Sequence, residues 1–150
     1  MQLSEHFTLA ELTRSDMAKR LGIVNRPNDQ EIACLKQVSR NILEPVREHF
    51  QTPFMPNSGY RCLALNRALK SKDTSQHILG QAVDMELPVV SNYDLAFWIY
   101  SNLTFDQLIL EFYEPDDPKS GWVHCSYVEK GCRRECLTYS GGKFTPGLIG

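Results

Sequence analysis

The chain lacks the features that mark membrane-spanning and nucleic-acid-binding proteins. No segment approaches the ~20 consecutive apolar residues that a transmembrane helix needs. Basic residues are scattered, and the formal net charge of -2 gives no general attraction to anionic partners. The composition therefore argues against a membrane span, and against nucleic acid or an anionic membrane as the main partner.

The first twenty residues also lack the pattern of a secretory signal. MQLSEHFTLAELTRSDMAKR has acidic residues early and no apolar core. We therefore expect synthesis in a cytoplasm without a signal peptide, so that any later export would use another route.

The five cysteines do not suggest a disulfide framework, because their number is odd and disulfides are rare in proteins that are not exported. Cys132 and Cys136 in CRREC are loosely spaced for a zinc knuckle and no second pair follows, so their role stays open. Cys125 adjoins His124, and neighbours in a strand point to opposite faces. We expect Cys125 to point away from any site that includes His124.

Apolar periodicity and turn signals predict one domain over residues 1–150, in which helices come first and short strands follow. The expected helices are two short ones within residues 7–21, a long amphipathic one over 29–50 bent at Pro45, a short one at ALNRALKS and one over 91–103. The expected strands are PFMPNSGYR, QAVDMEL, QLILEFY and GWVHCSYV, followed by an irregular tail from about residue 131. The last two strands should form an antiparallel hairpin, and the whole is an α+β fold.

The segment SQHILGQAVD carries the strongest chemical signal. It places His77 and Asp84 seven residues apart, with the small residues Gly80 and Ala82 between them. Imidazole and carboxylate are both good zinc ligands, and His124 in WVHCSY can supply a third. Three protein ligands and one open position are typical of a catalytic zinc site, so the pattern favours a zinc hydrolase.

Two further residues are candidates for the chemistry. If the hairpin folds near the middle of EPDDPKS, Glu111 falls roughly opposite His124, where it could accept a proton during hydrolysis. Arg61 in SGYR could bind a substrate carboxylate or a developing oxyanion, and the alternative is a salt bridge on a turn.

These segments carry a family resemblance. SQHILGQAVD resembles the S-x-H-x-x-G-x-A-x-D motif of the zinc D-alanyl-D-alanine carboxypeptidases and related peptidoglycan peptidases. SGYR with ALNRAL resembles the strand and helix before that motif, and WVHCSY resembles the strand that carries the third ligand. EHFTLAEL and residues 25–50 are similar to the compact phage and prophage branch, so the resemblance extends to about Tyr127.

The resemblance implies a Hedgehog/DD-peptidase-like fold, with helices packed on a small, mostly antiparallel sheet. It implies Zn2+ held by His77, Asp84 and His124, and Arg61 near the scissile carbonyl; we also expect Ser75 near the substrate. Many members carry the catalytic acid three residues before the last His, where this chain has Gly121. We therefore assign the catalytic role to Glu111, with Asp116 and Asp117 as weaker candidates.

The resulting hypothesis is a Zn2+-dependent peptidase, working as a monomer on stem or cross-bridge peptides of peptidoglycan. Carboxypeptidase and endopeptidase action both stay open, as does a role as a phage lysin that reaches the cell wall after release or in a phage particle. One alternative is a non-catalytic, zinc-containing module that binds the cell wall or belongs to a phage particle. A thiol hydrolase that uses Cys125 with His124 is disfavoured, because adjacent strand residues face apart.

Overall fold

The computed structural model of the protein describes residues 1–150 and shows helices packed on one face of a five-stranded sheet. The α-helices are α1 (Leu9–Thr13), α2 (Asp16–Leu21), α3 (Asp29–Val38), α4 (Glu44–Phe50), α5 (Leu63–Ala68) and α6 (Asn92–Asn102). A π-helical segment spans Ser39–Leu43, and a 3₁₀ turn spans Gln76–Leu79. The strands are β1 (Ala82–Met85), β2 (Gln107–Glu111), β3 (Trp122–Ser126), β4 (Glu135–Ser140) and β5 (Lys143–Pro146).

The sheet has the strand order β1-β3-β2-β4-β5, and only the β2–β4 pair is parallel. The predicted α+β class, with helices on a mostly antiparallel sheet, is confirmed. No helix in the structure combines the length and apolar character needed to cross a membrane.

The N-terminal helices begin where the sequence supplies caps. The Thr8 hydroxyl accepts a hydrogen bond from the Glu11 amide at 3.2 Å, and the Glu11 carboxylate accepts one from the Thr8 amide at 2.9 Å. This is the predicted capping box. Ser15 caps α2 in the same way, so the predicted start of a second helix at Ser15 is confirmed.

The predicted long helix over residues 29–50 is one helical stretch interrupted by the π-helical segment. The Glu44 amide reaches back five residues to the Ser39 carbonyl. Pro45 has no N–H, and its ring would crowd the carbonyl four residues earlier in a regular helix. Widening the preceding turn relieves that conflict, so the irregularity lies one turn before Pro45.

The core lies between the helices and one face of the sheet. Alternation along β1 sends Val83 and Met85 into this core and leaves Ala82 and Asp84 on the opposite face. Helices α3, α4 and α6 and the π-helical segment cover the core face with fully buried aliphatic side chains. The other face of β1, β3 and β2 is therefore available for polar groups.

PFMPNSGYR is not a strand, and this prediction was wrong. Only Ser58 forms a bridge, with Asp84 of β1, while the Tyr60 amide turns to the carbonyl of Leu12. Pro53 and Pro56 lack the N–H groups that a ladder needs, so the segment runs beside β1 without becoming a full strand.

The prediction of an irregular tail from about residue 131 was also wrong. After a short irregular stretch, β4 pairs in parallel with β2, and β5 turns back on β4. Gly141 and Gly142 connect them with φ values of 61° and 74°, the backbone that a two-residue hairpin turn requires. The pair of glycines between CLTY and KFTP was the signal that sequence reasoning missed.

Candidate metal centre and active site

Three of the predicted site residues meet on the sheet face opposite the core. The 3₁₀ turn supplies His77, β1 supplies Asp84 and β3 supplies His124, which lies directly across from Asp84 in the antiparallel ladder. One Asp84 carboxylate oxygen lies 3.3 Å from Nε2 of His77 and 3.1 Å from Nδ1 of His124. Their exposed fractions are 3, 7 and 9 %, so the cluster is almost completely shielded from water.

Local backbone structure fixes the orientation of His77. Ser75 caps the 3₁₀ turn by accepting a hydrogen bond from the His77 amide at 3.2 Å. Gly80 ends the turn with φ 73°, and a Cβ there would lie 2.5 Å from the Glu31 carbonyl oxygen. The small residue in the motif therefore allows close approach of α3 rather than of an ion.

The tautomer of His77 follows from its second contact. Its Nδ1 lies 2.7 Å from the Gly59 carbonyl oxygen, which can only accept a hydrogen bond, so Nδ1 carries the proton. Nε2 is then unprotonated and faces the other two side chains. A backbone carbonyl that orients an imidazole in this way is typical of metal-binding histidines.

Charge and burial suit this cluster to a metal cation. Burial alone would raise the pKa of Asp84, but His77 and His124 hold it well below its usual value, so the carboxylate is ionised. Burial lowers the pKa of His77 despite the nearby carboxylate, which keeps this imidazole neutral. All three donor atoms lie within 4.8 Å of one another. A carboxylate and two histidines fit a zinc ion, which binds deprotonated nitrogen and oxygen ligands.

Arg61 belongs to the same cluster. Its guanidinium donates to the second carboxylate oxygen of Asp84 at 3.1 Å and, through Nε, to the Ser58 hydroxyl at 3.0 Å. Its side chain is only 14 % exposed, so this is a partly buried ion pair at the site rather than a surface bridge on a turn. Two of its five N–H donors have no protein partner.

Sequence reasoning missed Asn66 as a support for Arg61. The Asn66 amide oxygen accepts a hydrogen bond from Arg61 at 3.3 Å, and its amide nitrogen donates to the Lys72 carbonyl at 2.8 Å. Asn66 is fully buried in α5. An asparagine within the apolar helix ALNRAL was the available signal, because a buried amide needs partners.

Glu111 lies on the same sheet face, although its predicted partner was wrong. Ile109 lies opposite His124, and Glu111 lies opposite Trp122. Because side chains alternate with a period of two, this two-residue shift keeps Glu111 on the face of His124, in a diagonal position. Diagonal neighbours lie roughly 7–8 Å apart, so Glu111 and His124 face the same site without being direct cross-strand partners.

The surroundings of Glu111 favour its protonated form more than water would. Burial and then the negative charge of Asp84 raise the pKa of Glu111, while His124 opposes the rise. The Trp122 indole N–H lies near the carboxylate and lowers its pKa. The two groups do not form a hydrogen bond of normal geometry, and the buried Trp122 Nε1 has no other partner. The site therefore contains a half-buried carboxylate whose proton affinity exceeds that of an ordinary glutamate.

A sequence model of the family described as Peptidase M15 matches residues 5–126 of the chain. This match covers most of the chain and includes the whole His77–Asp84–His124 cluster. The chain belongs to the Peptidase M15 family. A search of the curated proteins gave no match. M15 peptidases are metal-dependent, and the α+β structure agrees with the M15 fold, so the fold implied by the resemblance is confirmed.

Position 121 has a physical reason to lack the acid found there in many zinc D-alanyl-D-alanine carboxypeptidases. Gly121 has φ 67°, and a Cβ at this position would lie 1.9 Å from the Glu111 carbonyl oxygen. The carbonyl oxygen of Phe112 would be 2.8 Å away. No side chain fits in this M15 protein unless the end of β2 moves.

The remaining candidates lie outside the His77–Asp84–His124 cluster. Asp116 and Asp117 are exposed on the loop between β2 and β3, where Asp117 accepts a hydrogen bond from the Lys119 amide. Cys125 is fully buried on the core face, as predicted, and burial raises its thiol pKa. A buried, protonated thiol on the wrong face excludes the Cys125–His124 hydrolase.

Proposed function

We propose that the protein is a zinc-dependent peptidase that hydrolyses stem or cross-bridge peptides of peptidoglycan. The observation that carries this proposal is the buried His77–Asp84–His124 cluster with Glu111 on the same sheet face. Membership of the M15 family supports a metallopeptidase, and the D-alanyl-D-alanine carboxypeptidase motifs support this substrate class.

In the proposed mechanism, His77, Asp84 and His124 would hold the zinc ion. Zinc supplies Lewis acidity, which polarises a carbonyl oxygen and lets water act as a nucleophile near neutral pH. Glu111 accepts the proton of the attacking water and then donates it to the leaving amine. Its half-buried position and raised pKa suit it to both halves of this transfer.

Arg61 and Ser75 are proposed to contact the substrate. The two unpartnered N–H donors of Arg61 can stabilise negative charge on the scissile carbonyl oxygen. The guanidinium stays fixed during the reaction because Asp84, Ser58 and Asn66 hold it. The Ser75 hydroxyl accepts from the His77 amide, which leaves its own proton free to donate to a bound peptide.

Cleavage assays with metal removal test the proposal. Purified protein is incubated with peptidoglycan and with a D-alanyl-D-alanine-ended stem peptide, before and after chelation and zinc re-addition, and mass spectrometry identifies new ends. We expect cleavage that is lost on chelation and restored by zinc. Glu111→Gln should lose cleavage but keep zinc, and Glu114→Gln is its matched control, because Glu114 lies exposed on the loop after β2.

Folded, zinc-loaded protein that cuts neither substrate would contradict the proposal. Such a result would instead favour the non-catalytic module that binds the cell wall or belongs to a phage particle. The cleaved bond, if one is found, distinguishes carboxypeptidase from endopeptidase action.

A further inference from the structure

Four aromatic side chains form a continuous row that starts beside the candidate active site. In the sheet register Glu111 lies between Trp122 and Tyr139, and Tyr139 lies opposite Phe144. The ring centroid of Phe112 is 5.2 Å from that of Trp122 and 5.2 Å from that of Tyr139, and Tyr139 is 4.5 Å from Phe144. We call Trp122, Phe112, Tyr139 and Phe144 the aromatic row.

The aromatic row exposes apolar surface that contributes little to the core. Phe112 is 44 % exposed and Phe144 is 50 % exposed, and none of the four rings belongs to the main hydrophobic cluster. A contiguous apolar patch on a soluble protein commonly marks a binding site. Trp122 is two residues from His124 on the same face, so this patch is continuous with the metal-binding cluster.

The backbone of Phe112 supports a role beyond packing. Its φ of 57° is in the left-handed region, where a bulky residue is strained at a cost in folding free energy. The Phe112 amide is held by the Tyr139 carbonyl at 2.9 Å. This strained conformation places an exposed ring between Trp122 and Tyr139, and a ring exposed to that extent recovers little of the cost by burial.

Half of the aromatic row lies outside the matched family region. Tyr139 and Phe144 come from β4 and β5, whereas the M15 match ends at residue 126. These two strands extend the sheet beyond β2, on the side of Glu111 away from β3. Across three inter-strand steps the row spans about 14 Å, enough for a disaccharide.

We infer that the aromatic row is a saccharide subsite, which holds pyranose rings of the glycan strand while the attached peptide is cut. This inference rests on the proposed function. Stem peptides of peptidoglycan carry mostly small or charged side chains, which cannot cover four aromatic rings. The pyranose rings of the glycan offer broad C–H faces, and these can pack on the negative faces of aromatic rings.

The charge of the surface agrees with this occupant. None of the four residues is an aspartate, glutamate, lysine, arginine or histidine, and the nearest carboxylate on the same row, Glu111, is half-buried. The Tyr139 hydroxyl can exchange hydrogen bonds with sugar hydroxyl or acetamido groups. A hydrophobic surface that carries a hydroxyl group suits a ligand that has apolar faces and polar edges.

Phe144→Ala tests the inference because Phe144 is far from the metal-binding cluster and half-exposed. The substrates are one stem peptide, free and attached to its N-acetylglucosaminyl-N-acetylmuramyl disaccharide. We expect the KM for the glycosylated peptide to rise about 2- to 12-fold, the range of one aromatic contact, with kcat unchanged. The KM for the free peptide should stay the same, and Phe144→Tyr should restore the wild-type KM.

Phe97→Ala is the control, since Phe97 is equally exposed, at 53 %, but lies on α6.

Equal KM changes for both peptides, or no change for either, would overturn the saccharide subsite while leaving the peptidase intact. If the wild-type protein cuts neither peptide, the peptidase proposal fails and the subsite is tested by direct titration with the disaccharide. Binding that Phe144→Ala weakens and Phe97→Ala does not would support the subsite, and absence of binding to the wild-type protein would overturn it.

Discussion

At the scale of single residues, Glu111 is the group whose role is most directly testable. Glu111→Gln removes the proton acceptor with little change in shape, so kcat should fall by about 10²–10⁴-fold while the bound zinc content stays the same. Because burial is the largest cause of the raised pKa of Glu111, the acid limb of the kcat/KM profile should lie above the ordinary glutamate value of 4.5. Steady-state assays over pH, with metal analysis of each variant, provide the measurement. Near wild-type turnover by Glu111→Gln would exclude Glu111 as the base.

A second prediction at the level of single residues concerns the contribution of Gly121 to stability. Gly121→Ala should lower the free energy of unfolding by more than the ~1–3 kcal/mol of a left-handed non-glycine residue, because its Cβ also meets the Glu111 carbonyl oxygen. Gly141→Ala is the matched control, with φ 61° and nothing within 4 Å of its Cβ. Denaturant unfolding of both variants separates backbone strain from steric conflict. Equal losses would show that position 121 has room for a side chain.

The positions of residues within one local motif were easier to predict from the sequence than the positions of residues that depend on pairing between distant segments. His77 and Asp84 lie in one ten-residue segment, whose small residues permit the observed close packing. The partner of Glu111 depended on the shape of the loop over residues 112–121. Left-handed conformations at Phe112 and Gly121 shifted the register by two residues, which the simple midpoint of EPDDPKS could not predict.

At the scale of elements, one buried carboxylate joins the segment before β4 to the start of β2. Asp106 is 4 % exposed and accepts hydrogen bonds from the Arg133 amide at 3.0 Å and from its guanidinium at 2.8 Å. The same carboxylate accepts a hydrogen bond at 3.0 Å from Gln76, the neighbour of His77. The parallel strand β4 was hard to predict because its pairing with β2 spans a long separation along the chain.

Arg133→Gln should therefore destabilise the protein in a pH-dependent way. Hydrogen bonds from Arg133 lower the pKa of Asp106, so the stabilisation is present above the usual aspartate pKa of 3.8 and is lost as the pH falls through the lower folded value. Near pH 7 the loss should be about 1 kcal/mol, less than the ~1.5–3 kcal/mol of a buried hydrogen bond to a charged group, because the Arg133 side chain is 55 % exposed. Thermal unfolding from pH 7 to 2 should show that the difference in melting temperature between the variant and the wild type becomes smaller in acid.

The control for Arg133→Gln is the same substitution at Arg67, which pairs with the exposed Asp73. Exposed ion pairs contribute little to stability, so Arg67→Gln should shift the melting temperature less. If the melting temperature of Arg133→Gln stays below that of the wild type by the same amount down to pH 2, Arg133 acts through packing and not through the charge of Asp106.

At the scale of the whole molecule, a bound metal would join three separate elements, since its ligands come from the 3₁₀ turn, β1 and β3. Zinc at about 1,000 times its dissociation constant should add about 4 kcal/mol to the free energy of unfolding, which corresponds to a rise of about 10 °C in melting temperature. His77→Ala should lose most of this rise, because it removes one of three ligands. His49→Ala should keep it, because His49 is an exposed histidine that stacks on Trp98. Thermal unfolding with and without zinc compares the three proteins, and an equal rise in His77→Ala would place the metal elsewhere.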